Sequence, residues 1–367
     1  MAAAPKIGSV CSKVGLVKTV ATKTYSCVLK NRKKVWTYAK SKASAPTQTP
    51  TASVATVIDL DNLNKTNVRK AAWNEFTKTL FASQKSDASI ELIVGASADV
   101  AYAKQQVPAL QNSINLWSDI FKPKKVYATY FAEGDVNSVD SVLCAKANFC
   151  SGFSESFSKK IQQGIDIGAC TGARAFLTDD NHPIIFQCIG QHHEDIQNLQ
   201  TTPHEYFGNV LQASNPNVLP MWFSYGGGSF FGAYLGLYKD SSMPNQLDYF
   251  INFDARSLYL RQDICKTATE ADIMNCFAQT DSMTRTVPTE KMKNLGSVSY
   301  YLGAVATEVL VAKFGIKQIK MFMMDVKTKS FATAFEDNFG LTPTNFYEKV
   351  AKYAVSLKPS LNLPDKL

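Results

Sequence analysis

The chain has 367 residues, of which 45% are hydrophobic and 19% are charged. This balance is that of a globular protein and excludes a disordered or fibrous chain. The net charge of +8 is concentrated at the start, because residues 1–44 contain ten Lys or Arg and no Asp or Glu, whereas the remainder contains 29 basic and 31 acidic residues. A basic arm on a slightly acidic body favours an anchor to an anionic partner over a nucleic-acid-binding protein.

Residues 1–43 are predicted to form a small basic module with β-rich runs at Val17–Tyr25 and Lys34–Tyr38. A segment this short needs a staple to fold, which Cys11 and Cys27 could provide. The pattern Cys…Tyr-x-Cys…Lys-x-x-Trp resembles short modules at the ends of many secreted actinobacterial proteins. We expect residues 1–44 to bind an anionic cell-envelope polymer; the alternative is a solvated basic module with no specific partner.

Cysteine usage predicts the compartment. The eight cysteines fall in four sequential pairs and form no Cys-x-x-Cys motif, which favours disulfides between neighbours over a zinc ribbon or a redox site. Disulfides imply a secreted or cell-surface protein. The start, Met1–Pro5, resembles the small-residue end of a cleaved signal peptide with an added start Met, and no apolar run is long enough to span a membrane. The candidates are Cys11, Cys27, Cys144, Cys150, Cys170, Cys188, Cys265 and Cys276.

Residues 44–55, rich in Ser, Ala, Pro and Thr, have the composition of a linker, and residues 56–367 are predicted to form one main domain. Its strand-rich first half and helical second half predict an α+β fold with a mixed sheet. The expected strands are Ser89–Val94, Lys125–Phe131, Ala173–Leu177 and Pro183–Cys188. The expected helices are Asn67–Ser83, Tyr102–Phe121, Phe207–Gln212, Phe230–Tyr238, Val298–Lys313 ending at Gly315, Phe331–Phe339 ending at Gly340, and one that begins at Thr342–Pro343.

All four histidines lie within 23 positions, at His182, His192, His193 and His204. The last of them stands in Thr202-Pro-His-Glu-Tyr-Phe-Gly208, which is followed by Met221-Trp-Phe-Ser-Tyr-Gly-Gly-Gly228. Residues i and i+4 share one face of a helix, so two imidazoles at that spacing can hold one metal ion. A carboxylate from a second helix would complete three protein ligands and leave a position for water.

These two stretches resemble the two halves of a gluzincin metallopeptidase site, in which one helix carries His-Glu-x-x-His and the next carries Trp-Phe-x-Glu-Gly. The resemblance spans roughly residues 90–357 and implies a zincin-like fold. It places His204 at the first zinc-ligand position and Glu205 at the general-base position. Gly208 stands where the second His belongs and Tyr225 where the ligand Glu belongs, so two of the three ligands are missing. Glycine offers no donor, and a phenol binds a metal only as a phenolate.

The resemblance implies a secreted or cell-surface pseudo-metallopeptidase that is non-catalytic, needs no cofactor, and binds a peptide or a cell-envelope component. Two alternatives stay open. One is an active metallohydrolase in which His204 and Glu205 act with His192 or His193 on a zinc ion. The other is a structural envelope protein anchored by the basic arm.

Simpler interpretations of the motifs also exist. Thr202, Pro203 and Glu205 together match a helix capping box. Gly226–Gly228 favours a sharp turn into a helix over a phosphate-binding loop, and Asp179-Asp180 favours a turn. Gly168-Ala-Cys170-Thr-Gly172 has the form of a nucleophile elbow with Cys, although pairing of Cys170 with Cys188 would remove the nucleophile.

Overall fold

The structure is a computed structural model, and it describes residues 5–6, 9–12, 17–20, 23–30, 33–38, 58–150, 171–189, 199–215, 219–237, 269–281 and 289–357. The chain divides into two compact units, residues 1–55 and 56–367. The fold is mixed α/β and mostly helical, with a disulfide near the N-terminus. The predicted linker at residues 44–55 falls outside the described residues.

The first unit is an antiparallel sheet of three strands in the order β1 (Val17–Val20), β2 (Lys23–Lys30) and β3 (Lys33–Tyr38). Cys11 and Cys27 form a disulfide, and Tyr25 and Trp36 complete a separate four-residue core around it. So small a core buries too little apolar surface to stabilise a chain alone. The disulfide joins residues 16 positions apart, and closing a loop of this length in the unfolded chain contributes about 3 kcal/mol.

The second unit contains a four-stranded sheet in the spatial order β4 (Ser89–Val94), β5 (Lys125–Phe131), β7 (Pro183–Ile189) and β6 (Thr171–Leu177). Strands β4, β5 and β7 are parallel, and β6 is antiparallel to β7 at one edge. All four predicted strands are confirmed, and the last two extend one or two residues beyond the predicted bounds. Every residue of β7 is buried, which explains its nearly continuous apolar sequence.

Helices surround and follow this sheet: α1 (Lys65–Ala82), α2 (Val100–Leu116), α3 (Val136–Ala147), α4 (Thr201–Glu205), α5 (Gly227–Leu237), α6 (Glu270–Asp281), α7 (Thr289–Asp325), α8 (Phe331–Phe339) and α9 (Pro343–Leu357). The first π segment (Tyr206–Leu211) continues α4, and the second π segment (Trp222–Gly226) leads into α5. A left-handed Gly340 ends α8 as predicted. Helix α7 breaks at Gly315, where φ is +81°, but helical structure resumes beyond it, which the sequence did not predict.

The predicted turn at Gly226–Gly228 is wrong, because these glycines lie within helical structure. Their role is close contact between helices. A Cβ on Gly226 would overlap the backbone of Gly303 in α7, and a Cβ on Gly303 would overlap the carbonyl of Trp222. The missing side chains therefore let the second π segment and α7 touch at the level of their backbones.

A buried ion pair joins α1 to α7. The Arg69 guanidinium contacts Glu308, whose side chain is fully buried, and the Tyr234 hydroxyl donates to the same carboxylate oxygen at 3.3 Å. Burial of one of these charges without the other would be strongly unfavourable. The pair therefore fixes how α1 is aligned along α7.

Disulfides occur in both units. Cys11–Cys27 and Cys144–Cys150 are bonded as predicted. Cys188 and Cys276 are also disulfide-bonded, whereas Cys170 and Cys265 lie outside the described residues. These bonds are consistent with an extracellular protein. Within the described ranges, the helices are all too short or too polar to cross a lipid bilayer.

We predict that Arg69→Ala lowers the free energy of unfolding by about 3–5 kcal/mol, because it leaves the Glu308 carboxylate buried without its partner. The double variant R69M/E308L should recover most of this loss, since it removes both charges. Urea denaturation measures the difference. The control is Lys78→Ala, which breaks an exposed pair with Glu75 and should cost less than about 1 kcal/mol. Equal costs for the two single variants would contradict the prediction.

We also predict that Gly226→Ala destabilises the protein by about 1–3 kcal/mol, because the added methyl group has no room against Gly303. Gly134→Ala is the matched control: a Cβ there meets nothing within 4 Å, and its effect should stay within about 0.5 kcal/mol. Thermal or urea unfolding of the two variants side by side provides the measurement. A neutral Gly226→Ala would show that the two helices are not in backbone contact.

Candidate functional site

A buried hydrogen-bond network fixes helix α4 against the sheet. The Thr202 hydroxyl lies 2.9 Å from the Tyr130 hydroxyl of β5 and donates to the Gln106 side chain of α2 at 3.2 Å. All three side chains are buried. Because His204 and Glu205 follow on the same helix, this network determines where they lie relative to the sheet.

The predicted capping box is wrong. Thr202 lies inside the helix, Gln200 occupies the N-cap position, and none of the described side chains caps this helix end. Glu205 accepts a hydrogen bond from the side chain of Asn209, one helical turn on. The Thr202 hydroxyl finds its partners in the interior instead, because the helix start is covered by the sheet and α2 rather than by water.

Glycines of α5 form the wall against which His204 packs. A Cβ on Gly228 would lie 3.0 Å from Cε1 and 3.1 Å from Nδ1 of His204. A Cβ on Gly232, four residues on, would lie 3.0 Å from the Cβ of His204 and 2.7 Å from the carbonyl oxygen of Gln200. The absence of side chains at these two positions lets α5 approach α4 closely enough to enclose the imidazole.

This enclosure keeps His204 neutral. Burial lowers the pKa of His204 to about 4, and a hydrogen bond with the Gly228 backbone opposes the shift only in part. His204 as a whole residue nevertheless keeps some accessible surface. At neutral pH the side chain is therefore an uncharged imidazole at the edge of the interior, able to donate and accept hydrogen bonds.

Tyr300, from the first half of α7, links the two halves of the motif. Its ring centroid lies 5.5 Å from that of His204 and 5.1 Å from that of Tyr225. All three side chains are half-buried. The structure thus brings the first-ligand position and the ligand-Glu position to one partly accessible aromatic cluster, here called the His-Tyr cluster (His204, Tyr225, Tyr300).

Gly208, at the position that the resemblance gives to the second histidine, lies close to the backbone of the second π segment. A Cβ on Gly208 would lie 3.1 Å from the carbonyl oxygen of Ser224 and 3.9 Å from Nε2 of His204. Gly208 therefore faces His204, and a side chain there would press against the Ser224 carbonyl, which would have to shift by a few tenths of an ångström. Position 208 offers no donor, and position 225 offers a phenol rather than a carboxylate. The described residues at positions 204, 208 and 225 do not by themselves supply a zinc ligand set.

The two π segments meet at this same place. Gly208 lies in the first and Tyr225 in the second. A π-helical turn is rare and is frequently found at functional sites. Two of them in contact, at the two positions where the motif departs from the gluzincin pattern, make the backbone here irregular.

The remaining predicted site residues are not assembled here. His182 lies in the turn between β6 and β7, where its backbone carbonyl accepts from Thr178 and its ring packs near Tyr127. The predicted turn at Asp179-Asp180 is confirmed, with Asn181 in the left-handed region. His192 and His193 lie outside the described residues. Over the described ranges, no group of three or more His, Cys, Asp or Glu side chains is placed to hold a metal ion.

Two residues of the site were not identified from the sequence. Tyr300 lies about 75 positions beyond Tyr225, and nothing in the sequence indicates that the first half of a long helix returns to the motif. Asn209 could have been found, because i, i+4 spacing from Glu205 on a helix predicts an amide–carboxylate hydrogen bond.

The low pKa of His204 makes a prediction about acid stability. Because the folded protein protonates His204 only near pH 4, while an unfolded chain does so near ~6.5, the unfolded state binds more protons between these values. Stability should therefore fall as the pH drops from about 6.5 to about 4, by up to ~3 kcal/mol. Urea denaturation of the natural protein and of His204→Gln across this range isolates the effect. Identical pH profiles would contradict it.

The chain has no match among protein-family profiles, curated proteins or solved structures.

Proposed function

We propose that the main unit is a non-catalytic relative of the gluzincin metallopeptidases that binds a peptide or a cell-envelope component at the His-Tyr cluster. The observation that carries the proposal is the geometry of Gly208. Its missing side chain would point toward His204, as a second ligand would, yet the Ser224 carbonyl lies only 3.1 Å from that Cβ position. The positions of the motif lie together, but the position of the second ligand carries no side chain and is tight against backbone.

The sheet and helix order supports the same proposal. A mixed sheet precedes the helix with His204 and Glu205, and a helical half follows, as the resemblance implies. The second stretch packs directly against the first, through Gly228 and Gly232. Positions 204 and 208 are one helical turn apart, and Tyr225 joins them through its ring contact with Tyr300.

The chemistry that remains suits binding. His204 is neutral at physiological pH, and the tyrosines provide two phenol groups and two ring faces. Glu205 is buried and its carboxylate is engaged by Asn209, so it is not poised beside a metal-bound water. Half-buried aromatic rings with a few polar groups are typical of sites that hold a ligand by contact and hydrogen bonds.

The test is restoration of the lost ligands. Elemental analysis of the natural protein, equilibrated with zinc and dialysed, should show far less than one zinc per chain and no chelator-sensitive cleavage of a fluorogenic peptide library. The double variant G208H/Y225E should bind zinc measurably more tightly than the natural protein in calorimetric titration, because it completes a His-His-Glu set.

The matched control is G208H/Y225Q. It places the same histidine beside Ser224 but supplies an amide instead of the carboxylate that would be the third ligand. Equal zinc binding by both double variants would contradict the placement of position 225 at the site. Stoichiometric zinc with chelator-sensitive cleavage in the natural protein would overturn the proposal and favour an active metallohydrolase. His193→Ala and His204→Ala would then show which histidines hold the ion.

A further inference from the structure

The first unit carries many positive charges and has no carboxylate side chain of its own to neutralise them. Residues 1–55 contain ten Lys or Arg and no carboxylate side chain. Within the described part of this unit, Lys6, Lys33 and Lys34 are exposed. Two of these three lysines are consecutive and begin β3.

The pairing of β2 with β3 places further positive charge beside them. The last residues paired in this hairpin are Lys30 and Lys33, and the preceding pair is Leu29 with Lys34. Like charges at directly opposed positions of an antiparallel pair destabilise it. The register therefore brings three lysine positions to the end of the hairpin, where repulsion between like charges makes folding of the unit less favourable.

Two aromatic residues of the unit, Tyr25 and Trp36, do not offer an alternative mode of binding. Tyr25 and Trp36 are buried with the Cys11–Cys27 disulfide in the four-residue core. They cannot serve as platforms on which bases or sugar rings stack, so contacts at the lysines would be mainly ionic. Ionic contacts of this kind depend on charge density and weaken steeply with salt.

We propose that Lys33 and Lys34, here called the hairpin lysines, form the binding site for a polyanion, a flexible polymer with repeated phosphate or carboxylate groups, at the end of the hairpin where the strand register places Lys30 opposite Lys33. A polymer with closely spaced negative charges relieves the repulsion between opposed lysines and gains from releasing its counterions. The site is distinct from the His-Tyr cluster and is independent of the function proposed for it.

The test uses the full chain with fluorescently labelled linear polyphosphate and, in a second arm, poly-L-glutamate. The natural protein should bind at least one of them, with an affinity that falls steeply between about 0.05 and 0.3 M NaCl.

The variant K33E/K34E should lose at least about tenfold in affinity. Its fold should survive, because a carboxylate at position 33 would oppose Lys30 and replace a like-charge pair with an opposite one. The arm with tighter binding identifies the phosphate or the carboxylate source.

The control is K104E/K317E, which changes the net charge equally at two exposed positions of the second unit. It should keep most of the affinity. Equal losses in the two double variants would show that only net charge matters and would overturn the proposal, as would binding that is insensitive to salt. Binding to phosphatidylglycerol vesicles but to neither polymer would also overturn it. If K33E/K34E fails to fold, K33Q/K34Q takes its place. It removes the two charges without reversing them, so the logarithm of its affinity should fall by about half as much as expected for K33E/K34E.

Discussion

The close approach of three helical segments around His204 is the constraint on which the candidate site depends. It is possible only because glycine stands at each point of contact. Gly228 and Gly232 of α5 admit the imidazole and the backbone of α4, and Gly226 admits the backbone of α7 at Gly303. Side chains at these positions would separate the helices by the width of a methyl group or more, and the site would open.

Burial by this packing sets the chemistry of the site. An imidazole held against backbone loses its hydration, so its neutral form is favoured and its pKa falls to about 4. The same packing moves the Ser224 carbonyl into the space beside Gly208. A metal centre needs an open position and donors that converge on it. Here the space beside Gly208 is tight, and the described donors are a single imidazole and phenols, which supports the proposal that the site holds its ligand by contact and hydrogen bonding.

The two units are stabilised by different means. The main unit has a large apolar core in which a buried ion pair, Arg69 with Glu308, fixes the alignment of two helices. The small unit has four core residues and a disulfide. Its surface lysines have no carboxylate within their own unit, which is tolerable where water solvates them and is favourable where a polyanion neutralises them.

Local sequence determined much of the fold. The runs of β-branched residues at Ser89–Val94 and Lys125–Phe131 fixed two strands to the residue, and Gly340 and Pro343 fixed where one helix ends and the next begins, because strand propensity and capping are local effects. Neighbouring cysteines paired as predicted for Cys11–Cys27 and Cys144–Cys150. The resemblance to the gluzincin motif placed His204, Gly208 and Tyr225 at one site.

Tertiary structure decided the rest, because each remaining feature depends on contacts between distant segments. The sequence around Thr202 predicts that its hydroxyl caps a helix, but in the structure the hydroxyl bonds to side chains of β5 and α2. The sequence Gly226–Gly228 predicts a turn, but in the structure these glycines are helical. They are small because neighbouring segments pack directly against them. Tyr300 became part of the site only when α7 returned to the motif. Local propensity does not depend on residues that are distant in sequence, whereas packing against them often contributes more free energy than the propensity does.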